Sequence, residues 1–165
     1  MEAVRVRHTF APIYQENSKV LILGTVPSVK SRETDFYYGH PRNRFWQVIS
    51  SLCRTEIPQT KEEKIQMLLE NRIALYDVVE SCTIIGSSDS SIRDVIPVNL
   101  EPILEQTGDI PIFTNGSAAW RLYRKFLEVQ TGITAYPLPS TSPANAAWSL
   151  QRLTEVWKEA LTPYL

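Results

Sequence analysis

Strong positive charge is missing from this chain. Its 165 residues carry 17 Lys and Arg against 18 Asp and Glu, a formal net charge of −1. That excludes the uniformly basic surface of a protein that coats nucleic acid, so any contact with a phosphate backbone has to be a local patch. Long apolar runs are missing too. Nothing approaches the ~18 consecutive apolar residues of a membrane span, and the opening Met1-Glu2-Ala3-Val4-Arg5 lacks the apolar core of a secretion signal. Cysteine is scarce: Cys53 and Cys82 stand in no metal-binding spacing, and free buried thiols in a reducing cytoplasm are the expected state. Repeats, low-complexity segments and interdomain linkers are absent, which predicts one domain over residues 1–165. A monomer in the cytoplasm, at the nucleoid in a bacterium or archaeon, is the matching expectation.

What the chain does have is periodic apolar sequence, 43% of its residues. Lys19 to Gly24, Ile73 to Val79, Ile110 to Asn115 and Ile133 to Leu138 are short apolar runs that end at turn or polar residues, and each predicts a buried strand. Between them lie helical stripes: Phe45, Val48, Ile49 and Leu52; Ile65, Leu68 and Leu69 within Thr60 to Asn71; Ala119, Leu122, Tyr123 and Phe126; and Leu150, Leu153, Val156, Trp157, Ala160 and Leu161. Asn99 is placed to cap a short helix to Gln106. Thr25 to Arg42 and the Ser- and Gly-rich Cys82 to Asp94 read as loops. Strands alternating with helices predict an α/β fold, three layers with a mainly parallel four-stranded sheet at the centre.

In such sheets ligands bind beyond the carboxyl ends of the strands. Two loops stand out there, Gly24-Thr25-Val26-Pro27-Ser28 and Pro139-Ser140-Thr141-Ser142-Pro143. Near the first, Lys30, Arg32, Arg42, Arg44 and Arg54 outnumber Glu33 and Asp35; charge alone fits equally a patch that steers a phosphate backbone, with Arg42 and Arg44 the expected contacts, and a solvated basic face.

The first of those loops, followed by Phe36-Tyr37-Tyr38-Gly39-His40-Pro41-Arg42-Asn43-Arg44-Phe45-Trp46, resembles the first motif region of the uracil-DNA glycosylase superfamily, most closely its hypoxanthine (deoxyinosine) branch. The run His40 to Trp46 also looks like the mismatch-specific uracil-DNA glycosylases. Leu75 to Cys82, Gly86 to Ser90 and Leu138 to Ala146 fit the same branch in matching order. The resemblance implies a monofunctional DNA glycosylase with water as nucleophile, no metal and no organic cofactor, acting on DNA with a damaged or mismatched base. It implies that Asn43 places the water. Many uracil-cleaving relatives use an Asn or Asp for that purpose where this chain has Val26, and several have a hydrogen-bonding His where it has Leu138. Both departures point away from uracil.

The chemistry asks for the same parts. A base buried in the duplex has to be flipped out, at a cost of a few kcal/mol that is smaller for a poorly paired base. Tyr37, Tyr38, Phe45 and Trp46 are candidate plates for stacking. Tyr38 is the favoured pocket wall; Trp46, off the helical stripe, is expected at the surface. Gly24, Thr25, Pro27, Ser28, Ser140, Thr141 and Ser142 are candidate contacts to base and phosphate, with Ser31 a further hydroxyl. His40 is a candidate base-edge or phosphate contact, with a solvated loop histidine the alternative. Asn43 also suits a helix cap. Asp77 ends a strand, where a structural hydrogen bond to a neighbouring loop is expected, and Asn115-Gly116 reads as a turn. Two other functions fit the residues: a mismatch-specific uracil or thymine glycosylase, and a non-catalytic nucleic-acid-binding α/β module.

Overall fold

The computed structural model describes residues 2–165. Its elements in chain order are β1 (Ala3–Arg7), β2 (Val20–Gly24), α1 (Val29–Thr34), α2 (Phe45–Cys53), α3 (Lys61–Glu70), β3 (Ile73–Asp77) and β4 (Val79–Ile85), then β5 (Arg93–Pro97), α4 (Glu101–Thr107), β6 (Ile112–Asn115), α5 (Ser117–Phe126), α6 (Glu128–Thr131), β7 (Ala135–Leu138) and α7 (Leu150–Leu161).

Four strands form a parallel sheet in the order β3-β2-β6-β7. β2 is apolar throughout because both of its faces are covered. Val20 and Ile22 point into one core with Phe45, Val48 and Ile49 of α2, Leu68 of α3, and Leu153 and Trp157 of α7. Leu21 and Leu23 point the other way, against Ile103 of α4 and Ala74, Ile112 and Tyr123. Each such side chain fully removed from water contributes on the order of 1.5–3 kcal/mol before chain entropy is subtracted. The caps follow the sequence. Thr60 Oγ1 accepts from the backbone N–H of Glu63, and Ser149 Oγ from that of Arg152.

Two segments depart from the expected pattern. The polar stretch after β2 contains the short helix α1, capped by Ser28 Oγ, which accepts from Ser31 N–H. Cys82 to Asp94 is not all loop: β4 runs to Ile85, pairs antiparallel with β1 and β5, and makes a second, three-stranded sheet over the Leu21/Leu23 face. β1 and β5 are mostly exposed edge strands, so they lack the apolar run that marks a buried strand.

The register places Gly24 opposite Asp77 and Asn115 opposite Leu138. The four parallel strands therefore end on one row, and three of the four terminal residues carry no large apolar side chain. That row is the platform for the site.

Candidate active site

A cavity of about 120 Å³ opens at this carboxyl edge. It is far smaller than the roughly 300–1,000 Å³ of drug-sized ligand sites, and so fits one small ligand. The strand ends place Gly24, Asp77 and Asn115 in its wall. The loop after β2 adds Thr25, Val26, Pro27 and Ser28; the loop after β7 adds Ser140, Thr141 and Ser142; the segment before α2 adds Tyr38 and Asn43. Of the predicted site residues, two lie outside it. Phe45 is fully buried on α2 and stacks behind Tyr38, ring centroids 4.1 Å apart at 22°. It supports the wall and does not face the cavity. The His40 ring turns back on its own loop, where Nδ1 accepts from the Arg42 N–H at 3.0 Å.

Asn43 is held from two sides. Its Oδ1 accepts from the Phe45 N–H at 2.9 Å, the first N–H of α2, and from Thr141 Oγ1 at 2.8 Å. A backbone N–H can only donate, so the amide orientation is fixed. Among the described residues Nδ2 makes no hydrogen bond, and it is the end of the amide left for a ligand. Thr141 is in turn fixed by Asn115: the Asn115 Nδ2 donates to Thr141 Oγ1 at 2.9 Å, and the Thr141 N–H donates to Asn115 Oδ1 at 3.0 Å. This chain of side chains ties β6, the loop after β7 and the start of α2 together.

The opposite wall rests on Gly24. A Cβ there would stand 2.3 Å from Asp77 Oδ1 and 2.8 Å from Tyr38 Oη, so only glycine lets the two close over the strand end. Tyr38 is in the left-handed region at φ 53°, a conformation that costs a non-glycine residue about 1–3 kcal/mol and clusters at functional sites. Burial, and next the negative field of Asp77, hold the Tyr38 hydroxyl far above the usual tyrosine range. It is a neutral donor. Asp77 Oδ2 lies 2.6 Å from His8 Nε2, a buried pair that carries out the structural bond expected of a strand-end carboxylate.

The hydroxyls of the two loops are differently placed. Ser140 Oγ accepts from the Ser142 N–H and Ser142 Oγ from the Ala144 N–H, which leaves both O–H groups free to donate. Ser28 donates its proton to Ser31 Oγ.

The basic patch is smaller than the sequence suggests. Arg44 is not a free cation: its guanidinium donates to the carbonyls of Thr141, Ser142, Asn145 and Trp148 and fastens the loop after β7. Arg32 donates to the Pro27 and Gly86 carbonyls, and Lys30 pairs with Glu33. Arg42 is exposed and, among the described residues, has no such bond. Trp46, expected at the surface, is buried: its Nε1 donates to the Tyr37 carbonyl at 3.2 Å and its ring stacks on Phe36. Tyr37 is also core, with its hydroxyl on the Ala11 carbonyl.

Sequence reasoning read Asn115 only as a turn and gave Asp77 its structural bond but not its place in the cavity wall. Both are polar residues that end an apolar strand on the ligand side of the sheet, and that position was the available signal. His8 had none, because only the fold brings it 69 positions forward to Asp77. Among the described residues no cluster of three or more His, Cys, Asp or Glu side chains is arranged to hold a metal ion, and no helix is long and apolar enough to cross a membrane.

Fold and cavity define an α/β protein with a small, polar-lined cavity at the carboxyl edge of a parallel sheet. The sequence model of the uracil DNA glycosylase superfamily matches residues 11–161. A hypoxanthine DNA glycosylase of Methanosarcina acetivorans is 32% identical over 152 residues, 91% of this chain and 95% of that protein. A hypoxanthine DNA glycosylase of Methanosarcina barkeri is 34% identical over 86 residues, 52% of this chain and 54% of that one. The solution NMR structure of a candidate uracil DNA glycosylase from Methanosarcina acetivorans superposes with a TM-score of 0.79 at 32% identity, over 94% of this chain and 96% of that one. The chain belongs to the uracil DNA glycosylase superfamily.

Proposed function

We propose that this protein is a monofunctional DNA glycosylase that takes a deaminated base, hypoxanthine first, out of DNA and hydrolyses its bond to deoxyribose. The observation that carries the reading is the fixed Asn43 amide in a small polar cavity, in a chain related over most of its length to hypoxanthine DNA glycosylases.

The cavity volume suits a single flipped base. Tyr38, stiffened by Phe45 behind it, forms one wall of the cavity. Ser140 and Ser142 keep free hydroxyl donors and Arg42 a free cation for the flanking phosphates. Departure of the base leaves positive character on the sugar. A cation of that kind needs a nucleophile in place more than a strong base to activate it. Asn43 has the right groups for this. Its oxygen is already occupied, so its Nδ2 donates to the water oxygen and leaves a lone pair for the anomeric carbon. It holds the water and does not deprotonate it. Val26, in the cavity wall, has no polar atom to share the work.

The test is base release from duplexes with a single deoxyinosine, uracil, xanthine or mismatched thymine, cut with alkali at the abasic site. The expected result is cleavage at deoxyinosine above the others. Cleavage at uracil alone would reassign the specificity. DNA binding with no cleavage anywhere would make the chain a binding module.

A further inference from the structure

We propose that Asp77 and Tyr38, with His8 behind them, read the amide edge that deamination creates on a purine. The inference rests on the cavity being a base pocket, as above. His8 Nε2 donates to Asp77 Oδ2 at 2.6 Å, with both side chains almost fully buried. That bond occupies one carboxylate oxygen and fixes the rotamer. The other oxygen, Oδ1, and Tyr38 Oη both overhang Gly24, whose missing Cβ leaves them room, and both residues line the cavity. Tyr38 Oη is buried and, among the described residues, makes no hydrogen bond of good geometry; the Asn115 side chain is close enough only to act against the rise in its pKa. Buried hydroxyls are nearly always paired, so the partner of this one is a group that arrives with the ligand.

The pair offers one acceptor beside one donor. Deamination of adenine turns a ring nitrogen lone pair and an exocyclic amino group into a ring N–H and a carbonyl. The new N–H donates to Asp77 Oδ1, and the new carbonyl accepts from the Tyr38 hydroxyl. Adenine turns its ring lone pair toward the carboxylate, which repels it, and its amino group meets the tyrosine only if the hydroxyl turns its proton away. Discrimination of this kind is strong because the site's own polar groups are left unpaired by the wrong base. His8 is a positioning residue: it aims the carboxylate and does not touch the base.

Four variants test this: Tyr38→Phe, Asp77→Asn, His8→Leu and His8→Gln. Each is assayed by steady-state release of hypoxanthine from a deoxyinosine duplex, inhibition by free hypoxanthine and free adenine, and thermal melting. Tyr38→Phe removes only an unpartnered hydroxyl, so it should melt no lower than the wild type yet lose roughly tenfold in kcat/KM. Asp77→Asn should abolish the preference of the site for hypoxanthine over adenine as inhibitor. His8→Leu should weaken that preference, and His8→Gln, which keeps an N–H donor, should restore it. A role in folding alone would lower the melts without moving the inhibitor ratio. Wild-type kcat/KM and an unchanged inhibitor ratio in folded Tyr38→Phe and Asp77→Asn would overturn this inference alone. A wild-type chain that releases no hypoxanthine would overturn the proposed function and this inference with it.

Discussion

Thr141 Oγ1 donates to Asn43 Oδ1 at 2.8 Å, across 98 positions of sequence. The same hydroxyl accepts from Asn115, so a residue with no exposed surface helps set the orientation of the Asn43 amide. Thr141→Val keeps the shape and removes the hydroxyl. It leaves a buried Asn115 donor unpaired, a loss of about 1–3 kcal/mol. The melting temperature should fall by roughly 2–4 °C for each kcal/mol lost. Single-turnover base release should slow while affinity for DNA containing an abasic-site analogue stays near wild type. A rate equal to wild type would mean that Asn43 needs no such support.

Arg42 and Arg44 should part company. Arg44 fastens four carbonyls of the loop after β7, so Arg44→Ala should destabilise the fold by about 1.5–3 kcal/mol and leave the salt dependence of DNA binding as it was. Arg42→Ala should leave the melt unchanged, weaken binding uniformly across sequences and lower the slope of affinity against salt by about one unit. Fluorescence anisotropy over a salt series, beside thermal melts, separates the two. The reverse pattern would place the phosphate path along Arg44.

Alkali should unfold the protein early. Burial is the main cause that raises the Tyr37, Tyr38 and Tyr76 hydroxyls in the fold, with Asp77 adding to all three; Tyr76 is pushed up to about 12 and the other two beyond it. Below the ordinary tyrosine value of 10.0 both folded and unfolded chains hold these protons, and their contribution to stability is fully present. As pH rises from that value toward the folded ones, the unfolded chain gives up protons that the fold retains, and stability falls. Urea melts at neutral pH and between pH 10 and 12 measure the loss, and Tyr38→Phe should reduce it. A flat profile over that range would mean that these hydroxyls are solvated.

Much of this architecture is legible in the sequence because burial writes itself as periodicity. Val20 to Leu23 must be apolar at every position when helices cover one face of the strand and an antiparallel sheet the other, and the stripe from Ala119 to Phe126 must repeat as a helix does. What was hidden obeys the same physics in reverse. β1 shows water four of its five residues, so nothing in Ala3 to Arg7 announces a strand. Trp46 lies off the stripe of α2 yet is buried, because Phe36 and Tyr37 of the preceding loop fold over it, a contact no helical spacing encodes. The loops of the site were legible as strand-end segments rich in Ser, Thr and Gly. The distinction between Arg42 and Arg44 was not, since charge alone does not tell a cation that meets solvent from one spent on backbone carbonyls.

Asn43 carries the catalytic reading. A labelled duplex with one deoxyinosine, followed under single-turnover conditions with the wild type and with Asn43→Ala, tests it most directly. Loss of the bonds from the Phe45 N–H and the Thr141 hydroxyl should cost about 2–4 kcal/mol, within the stability of a domain of this size, so the variant should still fold and bind DNA. Its base release should fall by roughly 10²–10³-fold or more, the scale on which single well-placed hydrogen-bonding groups act in active sites. Hypoxanthine release by wild type that nearly vanishes in the folded, DNA-binding variant is the result predicted. Release at the wild-type rate from Asn43→Ala would contradict it and send the search for the water-holding group to the other wall of the cavity.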